Sequence, residues 1–521
     1  MPEKGLLGDK YVIKKLISRG SRNFLVNALL ALFGLCAIGV GGLEARTLTL
    51  DEALEMAFVN SPTMKRVGYS LDMSRHNLQA QQAALKSQFS LNLMPYQFSK
   101  SRRFETFASD YVTSQLKGSN FEFSINQPIK WTDGTFRLTE TFSWEENTTI
   151  QPQVIDSFSP PQNVESIREA FTNNLVVSYT QPLFTYNRTK LELKELELAL
   201  ENAQLNYAIQ KLQIEQQVTE SFLNLYYLKR SVQIAKEELV NSTESFGIIQ
   251  SKVEAGISAK EELFQADLTQ ANSRASLENR DMQYDNSLDN FKILLGLSLD
   301  DELDVETDIQ KLIIDVSLAH AINYGLSSRM ELRQRDIDIQ NALNSLIRTG
   351  AQNEFRGTLN LSYGLTGVDG KVRDMYNSPT RTQGFNVSFN VPLFDWGQKK
   401  HRIQSAETQV EQSRLTADEE RKNVKYQIRQ SFRNLQNQKL QIEIAEKNVT
   451  NARLTYDINL EKYKNGDLSS KDLSFYQNQL SSEQLNEVSA LINYQVALLE
   501  LKIRTLWDFQ ENQSVITGNE E

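Results

Sequence analysis

The chain is poor in the residues that most chemistry needs. Among 521 residues there is one cysteine, Cys36, and there are three scattered histidines, His76, His320 and His401. A lone cysteine excludes an intrachain disulfide, and three isolated histidines supply no metal-ligand spacing. Phosphate-cradling glycine patterns are missing after the first 45 residues, and no Asp or Glu sits in a His, Cys or Gly context that suggests an enzyme site. The net charge is -10, which argues against nucleic acid as a main partner. Only one apolar run is long enough for a membrane helix, so a multi-span helical protein is excluded. Proline is scarce where it matters. Pro182 and Pro379 bracket 196 residues without one, and none follows Pro392. Proline costs about 3 kcal/mol inside a helix, so these are places for very long helices.

What is present begins with a leader. Lys14, Lys15, Arg19 and Arg22 precede an apolar stretch from Phe24 to Gly42, and Leu43-Glu44-Ala45 is a usable cleavage site. Residues 1–45 therefore read as a secretory signal peptide, with an uncleaved anchor helix as the other reading. Its removal takes six positive and three negative charges, leaving -13.

The rest is written twice. At an offset of 210, Pro182-Leu183-Phe184 falls on Pro392-Leu393-Phe394, Ser221-Phe222 on Ser431-Phe432, Lys252 on Lys462, Gly256 on Gly466 and Tyr284 on Tyr494. A shorter match sets Asp51, Leu54 and Ala57 against Asp315, Leu318 and Ala321. The expected organisation is short helices (46–87), a strand region with an extra hairpin and loop (88–183) and a long helical hairpin (184–311). Then come short helices (312–350), strands (351–393), a second long hairpin (394–507) and a tail (508–521).

Val218, Leu225, Val232, Leu239, Phe246 and Val253 recur every seven residues, as do Ile428, Leu435, Ile442, Val449, Tyr456 and Tyr463. That period imposes a left-handed supercoil. Each long helix should stop at a glycine, Gly256 or Gly466, and restart at a cap, Ser258 to Glu261 or Ser469 to Asp472.

Between the helices the period becomes two. Phe385, Val387, Phe389 and Val391 alternate with polar residues, and strands are expected near 88–101, 119–129, 135–145, 174–183, 356–367 and 383–393. Residues 146–173 are expected to form an exposed loop. This alternation suits a membrane barrel, apolar to lipid and polar to a wet lumen, and also a soluble sandwich with one core face. A few strands cannot close a barrel alone, but three chains can.

LTLDEALEMA near the start, QPLF at Gln181–Phe184, VPLFDWGQ at Val391–Gln398 and YKNGDLSSKDL at Tyr463–Leu473, in this order and duplicated, resemble the TolC-like outer membrane efflux family. The resemblance implies an α plus membrane-β fold: a homotrimer in which each protomer gives four strands to a 12-stranded barrel and its coiled-coil hairpins to a periplasmic tunnel. It implies a passive exit duct for efflux or type I secretion in the outer membrane of a Gram-negative bacterium. It implies no cofactor and no enzyme activity. The partners implied are a periplasmic adaptor, or membrane fusion protein, and an RND, ABC or MFS inner-membrane pump. At the entrance it points to Tyr463 and Glu262 for a closing contact and to Asp472 for an acidic ring. Leu468 stands where the family has an arginine, and Phe475 where it can have a second aspartate. The tips at Gly256 and Gly466 are the expected adaptor-docking region, and Phe385, Val387, Phe389 and Val391 the lipid-facing strand. By chemistry alone, Glu262 and Asp472 also suit the positive end of a helix, and Tyr463 an ordinary heptad position. A periplasmic coiled-coil spacer or adaptor with a soluble β-domain is the competing reading.

Overall fold

A computed structural model describes residues 46–106, 110–153, 162–306 and 313–515. The leader and the centre of the expected loop lie outside these residues. The element order is β1 (Arg46–Leu48), α1 (Leu50–Asn60), α2 (Pro62–Ala84), β2 (Gln88–Glu105), β3 (Asp110–Ile129), β4 (Gly134–Gln153), β5 (Gln162–Leu183), α3 (Arg188–Glu254) and α4 (Lys260–Leu295). The second half runs β6 (Leu303–Val305), α5 (Leu318–Ser328), α6 (Met330–Gly350), β7 (Arg356–Asp369), β8 (Thr380–Asn390), α7 (Gln398–Asn465), α8 (Ser470–Thr505), β9 (Trp507–Asp508) and β10 (Gln513–Ser514).

The proline-free stretches are the long helices. α3 has 67 residues and α7 has 68, so each is about 100 Å long at 1.5 Å per residue. All twelve heptad residues are buried or half-buried. α3 packs on α4 and α8, and α7 packs on α8 and α6. At mid-height the duplication is visible in the cores. Ile214, Val218 and Leu225 pack with Ala57 and Phe291, and their counterparts Val424, Ile428 and Leu435 pack with Ala321 and Leu501. Parallel pairing of β1 with β6, Leu48 opposite Val305, joins the start of the described chain to the end of the first hairpin.

The helix ends follow from their caps. Thr49 and Glu52 form a reciprocal capping box at α1. Ser469 accepts from the Asp472 amide at 3.2 Å at the start of α8. The box expected at Ser258 does not form. α4 begins one residue later with Ala259 at its cap, because the Ile257 and Ser258 amides both turn back to the Lys252 carbonyl that ends α3. Gly256 and Gly466 have φ of +74° and +90°, the left-handed region in which a side chain is strained.

Six of the strands form one antiparallel sheet, in the order β2-β3-β4-β5-β7-β8, while β9 and β10 pair with each other. The sheet corrects two expectations. The resemblance implies four strands per protomer, whereas the extra hairpin β3–β4 is inserted within the sheet, between β2 and β5. The expected loop is strand through 146–153 and 162–173. This outer part has only scattered apolar residues, such as Ile150, Val164 and Ile167, so it carries no sustained alternation to read. Its ladder is held by backbone pairing and by cross-strand contacts, Lys117 to Glu146 at 2.7 Å and Trp144 Nε1 to Glu169 at 2.8 Å. Val391 falls just past β8, where Pro392 offers no amide to continue the ladder.

Candidate functional site: an apolar sheet face and a closed helical tip

The sheet has two unlike faces. On one, Phe385 opposes Leu361, which opposes Tyr179, and Val387 opposes Leu359; Tyr363 opposes Val177 one step along. On the other face Asn386 pairs with Asn360, and Thr180 donates to Asn360 at 3.0 Å. Glu140 lies within the apolar face. Glu140 accepts from the Asn173 amide at 2.8 Å. At the helix end of the sheet aromatic side chains collect: Phe355 stacks on Phe389 at 5.6 Å, Phe184 lies tilted against both at 5.3 and 6.4 Å, and Phe394 meets Trp396 edge-on at 4.7 Å. An apolar band edged by aromatic rings is what a barrel presents to lipid.

At the far end of the helices the two hairpin tips pack together. Ile249, Ala266, Tyr463 and Leu473 are buried there, with Val253, Leu263, Leu460 and Leu468 around them. Tyr463 is 1% exposed. Its hydroxyl donates to the Ser245 carbonyl at 3.3 Å, and Lys252 Nζ lies 5.2 Å from its ring centre and donates to its carbonyl at 3.3 Å. Burial pushes the Tyr463 phenol up to about 12, with the Glu262 carboxylate adding to the shift. Glu262 is thus an electrostatic neighbour of Tyr463, and the phenol's hydrogen bond goes to a backbone oxygen. Leu468, in the place of the family's arginine, joins the apolar tip cluster. Asp472 is exposed and accepts from the Ser469 hydroxyl at 2.7 Å; Phe475 is exposed beside Tyr476. The structure therefore brings Tyr463, Glu262 and Leu468 together and leaves Asp472 on the surface. Sequence reasoning missed Lys252 and Ser245. Lys252 had a signal, since it is one of the duplicated residues.

Among the described residues no group of His, Cys, Asp and Glu could hold a metal ion, and no helix is long and apolar enough to cross a membrane. The profile of the outer membrane efflux protein family matches residues 162–297 and 323–503, more than half of the chain. The chain belongs to the outer membrane efflux protein family. It is an outer membrane exit duct of the kind used in tripartite efflux, with its helical part in the periplasm. Its fold is that of solved channels. It is similar to the Campylobacter jejuni CmeC outer membrane channel at 14% identity and TM-score 0.63, over 90% of this chain and 88% of that one. It is similar to VceC of Vibrio cholerae at 13% identity and TM-score 0.62, over 88% and 95%. The open state of the Neisseria gonorrhoeae MtrE outer membrane channel gives 11% and 0.61, over 90% and 94%. No curated protein sequence matches the chain significantly. Channels of this family are trimers that work with adaptors and inner-membrane pumps.

Proposed function

We propose that this protein forms a homotrimeric duct whose periplasmic end is held shut by the Tyr463 cluster and is opened by a partner. The observation that carries the reading is the dry packing of one hairpin tip against the other. Burial of a side chain such as Ile249 or Leu473 is worth about 1.5–3 kcal/mol. Parting the tips exposes several such groups at once and frees the Lys252 and Tyr463 contacts. Thermal motion alone makes that a rare state, so opening calls for a protein that binds the parted tips better than the joined ones. A periplasmic adaptor docked around Gly256 and Gly466 fits that role. The exposed Ile257 and Phe264 give it apolar surface to grip. An RND, ABC or MFS pump then supplies the driving force, and the cargo follows from the pump. Phe385, Val387 and Phe389 face lipid, and Asp472 lies at the entrance rim.

The family match and the duplication, which a single hairpin spacer lacks, weigh against the spacer reading. Cross-linking intact cells and purifying this protein tests the proposal. It predicts recovery of an adaptor together with an inner-membrane pump. Recovery of self-cross-links alone would contradict it. Replacing Tyr463 with Ala should raise single-channel conductance, and Asp472→Ala should alter cation block; unchanged currents in both would remove these residues from the entrance.

A further inference from the structure

We propose that the barrel of this duct has 18 strands, because the inserted β3–β4 hairpin is a full membrane-crossing part of it. The inference rests on the trimeric duct reading above: three copies of a six-stranded sheet close a ring of 18.

Three observations place the hairpin in the wall. First, its strands are paired on both sides. β3 pairs with β2 and β4 pairs with β5 over nearly their whole lengths, so the hairpin cannot swing out without breaking two ladders. Second, the apolar face continues across it. Phe89, Ile125, Leu138, Val177 and Tyr363 lie in one row, opposite one another strand by strand. Two steps further on, Leu93, Phe121 and Phe142 do the same. On the reverse face Ser90, Ser124 and Thr139 line up. A flap in water has no use for such a face. Third, the hairpin spans the full height of the sheet. Its inner turn is pinned to the start of α3: Asn187 Nδ2 donates to the Lys130 and Trp131 carbonyls at 2.8 and 3.0 Å, and Thr189 Oγ1 donates to Asp133 at 2.6 Å. That turn carries Trp131, 90% exposed, at the helix end of the sheet where Phe394 and Trp396 also lie. The family profile begins at residue 162, after the β3–β4 hairpin and after the elements that precede it.

The consequence is a wider outlet. Strands about 4.8 Å apart and tilted about 40° give a backbone diameter of about 36 Å for 18 strands, against about 24 Å for 12. Roughly 5 Å of each wall is side chain, so the free bore rises from about 14 Å to about 26 Å. Size selection then falls on the helical tip, and the outlet admits cargo too bulky for a four-strand-per-protomer barrel, such as a partly folded polypeptide.

Two measurements on the full-length protein test this. In outer membrane vesicles, the pairs S90C/S124C (hydroxyls 2.7 Å apart) and S143C/T172C should each form an intramolecular disulfide on mild oxidation. Imaging of the wild-type protein in lipid nanodiscs should show a trimer with 18 strands and a barrel about 1.5 times as wide as one of 12. A trimer with 12 strands and neither disulfide would overturn the proposal while leaving the duct intact. Absence of a trimer would instead strike the duct reading on which it rests.

Discussion

The two repeats agree in their helices and disagree in their strands. The long helices have 67 and 68 residues and the returning helices 36 and 36. The first repeat supplies four strands of 18–22 residues, the second two of 14 and 11. The difference shows where each architecture tolerates change. Helices that share one supercoil must keep both length and heptad register, since an insertion that is not a whole heptad rotates the apolar seam away from its partner. An antiparallel sheet accepts a whole hairpin at once. Two added strands preserve the alternation of direction and of faces, and only the circumference grows.

The comparison can be broken most severely in the shared helical core. Leu225 and Leu435 are counterparts and are fully buried. Replacing either with Ala should cost about 2–5 kcal/mol, and the two losses should agree within about 1 kcal/mol if the repeats are equivalent. Denaturant unfolding of the solubilised protein would read this, and a large loss at one site with none at the other would refute the equivalence. Next come the strands, where the repeats differ. Val387→Lys in β8 and Phe123→Lys in the inserted hairpin should each weaken the barrel by about 2–4 kcal/mol, seen as lower heat resistance of the trimer. If only the first did so, the hairpin would lie outside the lipid. At the tips, Gly256→Ala and Gly466→Ala should each cost about 1 kcal/mol, because both glycines have positive φ and nothing else crowds them. Melting curves indistinguishable from wild type would disprove the strain.

The smallest effect is electrostatic. Lys229 and its counterpart Lys439 each hold an aspartate at 2.7 Å, Asp304 and Asp315 respectively. Burial raises the Asp304 carboxyl, but its bonds from Lys229, the Val305 amide and Tyr284 outweigh that and leave it below the ordinary value. A depressed folded pKa means the contribution is present above the unfolded value, about 3.9, and is lost as pH falls through the folded one. Acid should therefore destabilise the wild type, and Asp304→Asn should flatten that part of the profile. Asp315 is bonded by Lys439 and also lowered, but its side chain is 90% exposed, so salt should erase its effect. Equal acid sensitivity in D304N and wild type would remove the ion pair from the account.

The same contrast explains what could be read from the residues alone. The 210-residue offset, the two heptad runs and the stops at Gly256 and Gly466 are legible because a long helix leaves a periodic trace over many turns. Phe385, Val387 and Phe389 are legible because one face of β8 is apolar. The strand segments at 146–153 and 162–173 are not, since Glu145, Glu146, Asn147 and Thr148 have no alternation and the ladder itself is backbone. The place of the β3–β4 hairpin is also hidden. β2, β3, β4 and β5 are consecutive antiparallel neighbours, and only the pairing shows that the order then passes from β5 to β7, so that both strands of the hairpin sit inside one sheet. At the tip, Tyr463 stands out by position, whereas its bond to the Ser245 carbonyl involves a backbone atom that no motif marks.

A transmembrane duct must conduct. Single-channel recording of the purified full-length protein in a planar bilayer tests it. Heat-resistant trimers should give discrete, long-lived conductance steps, increased by Tyr463→Ala. A protein that inserts as a trimer yet leaves the bilayer silent in both forms would contradict it.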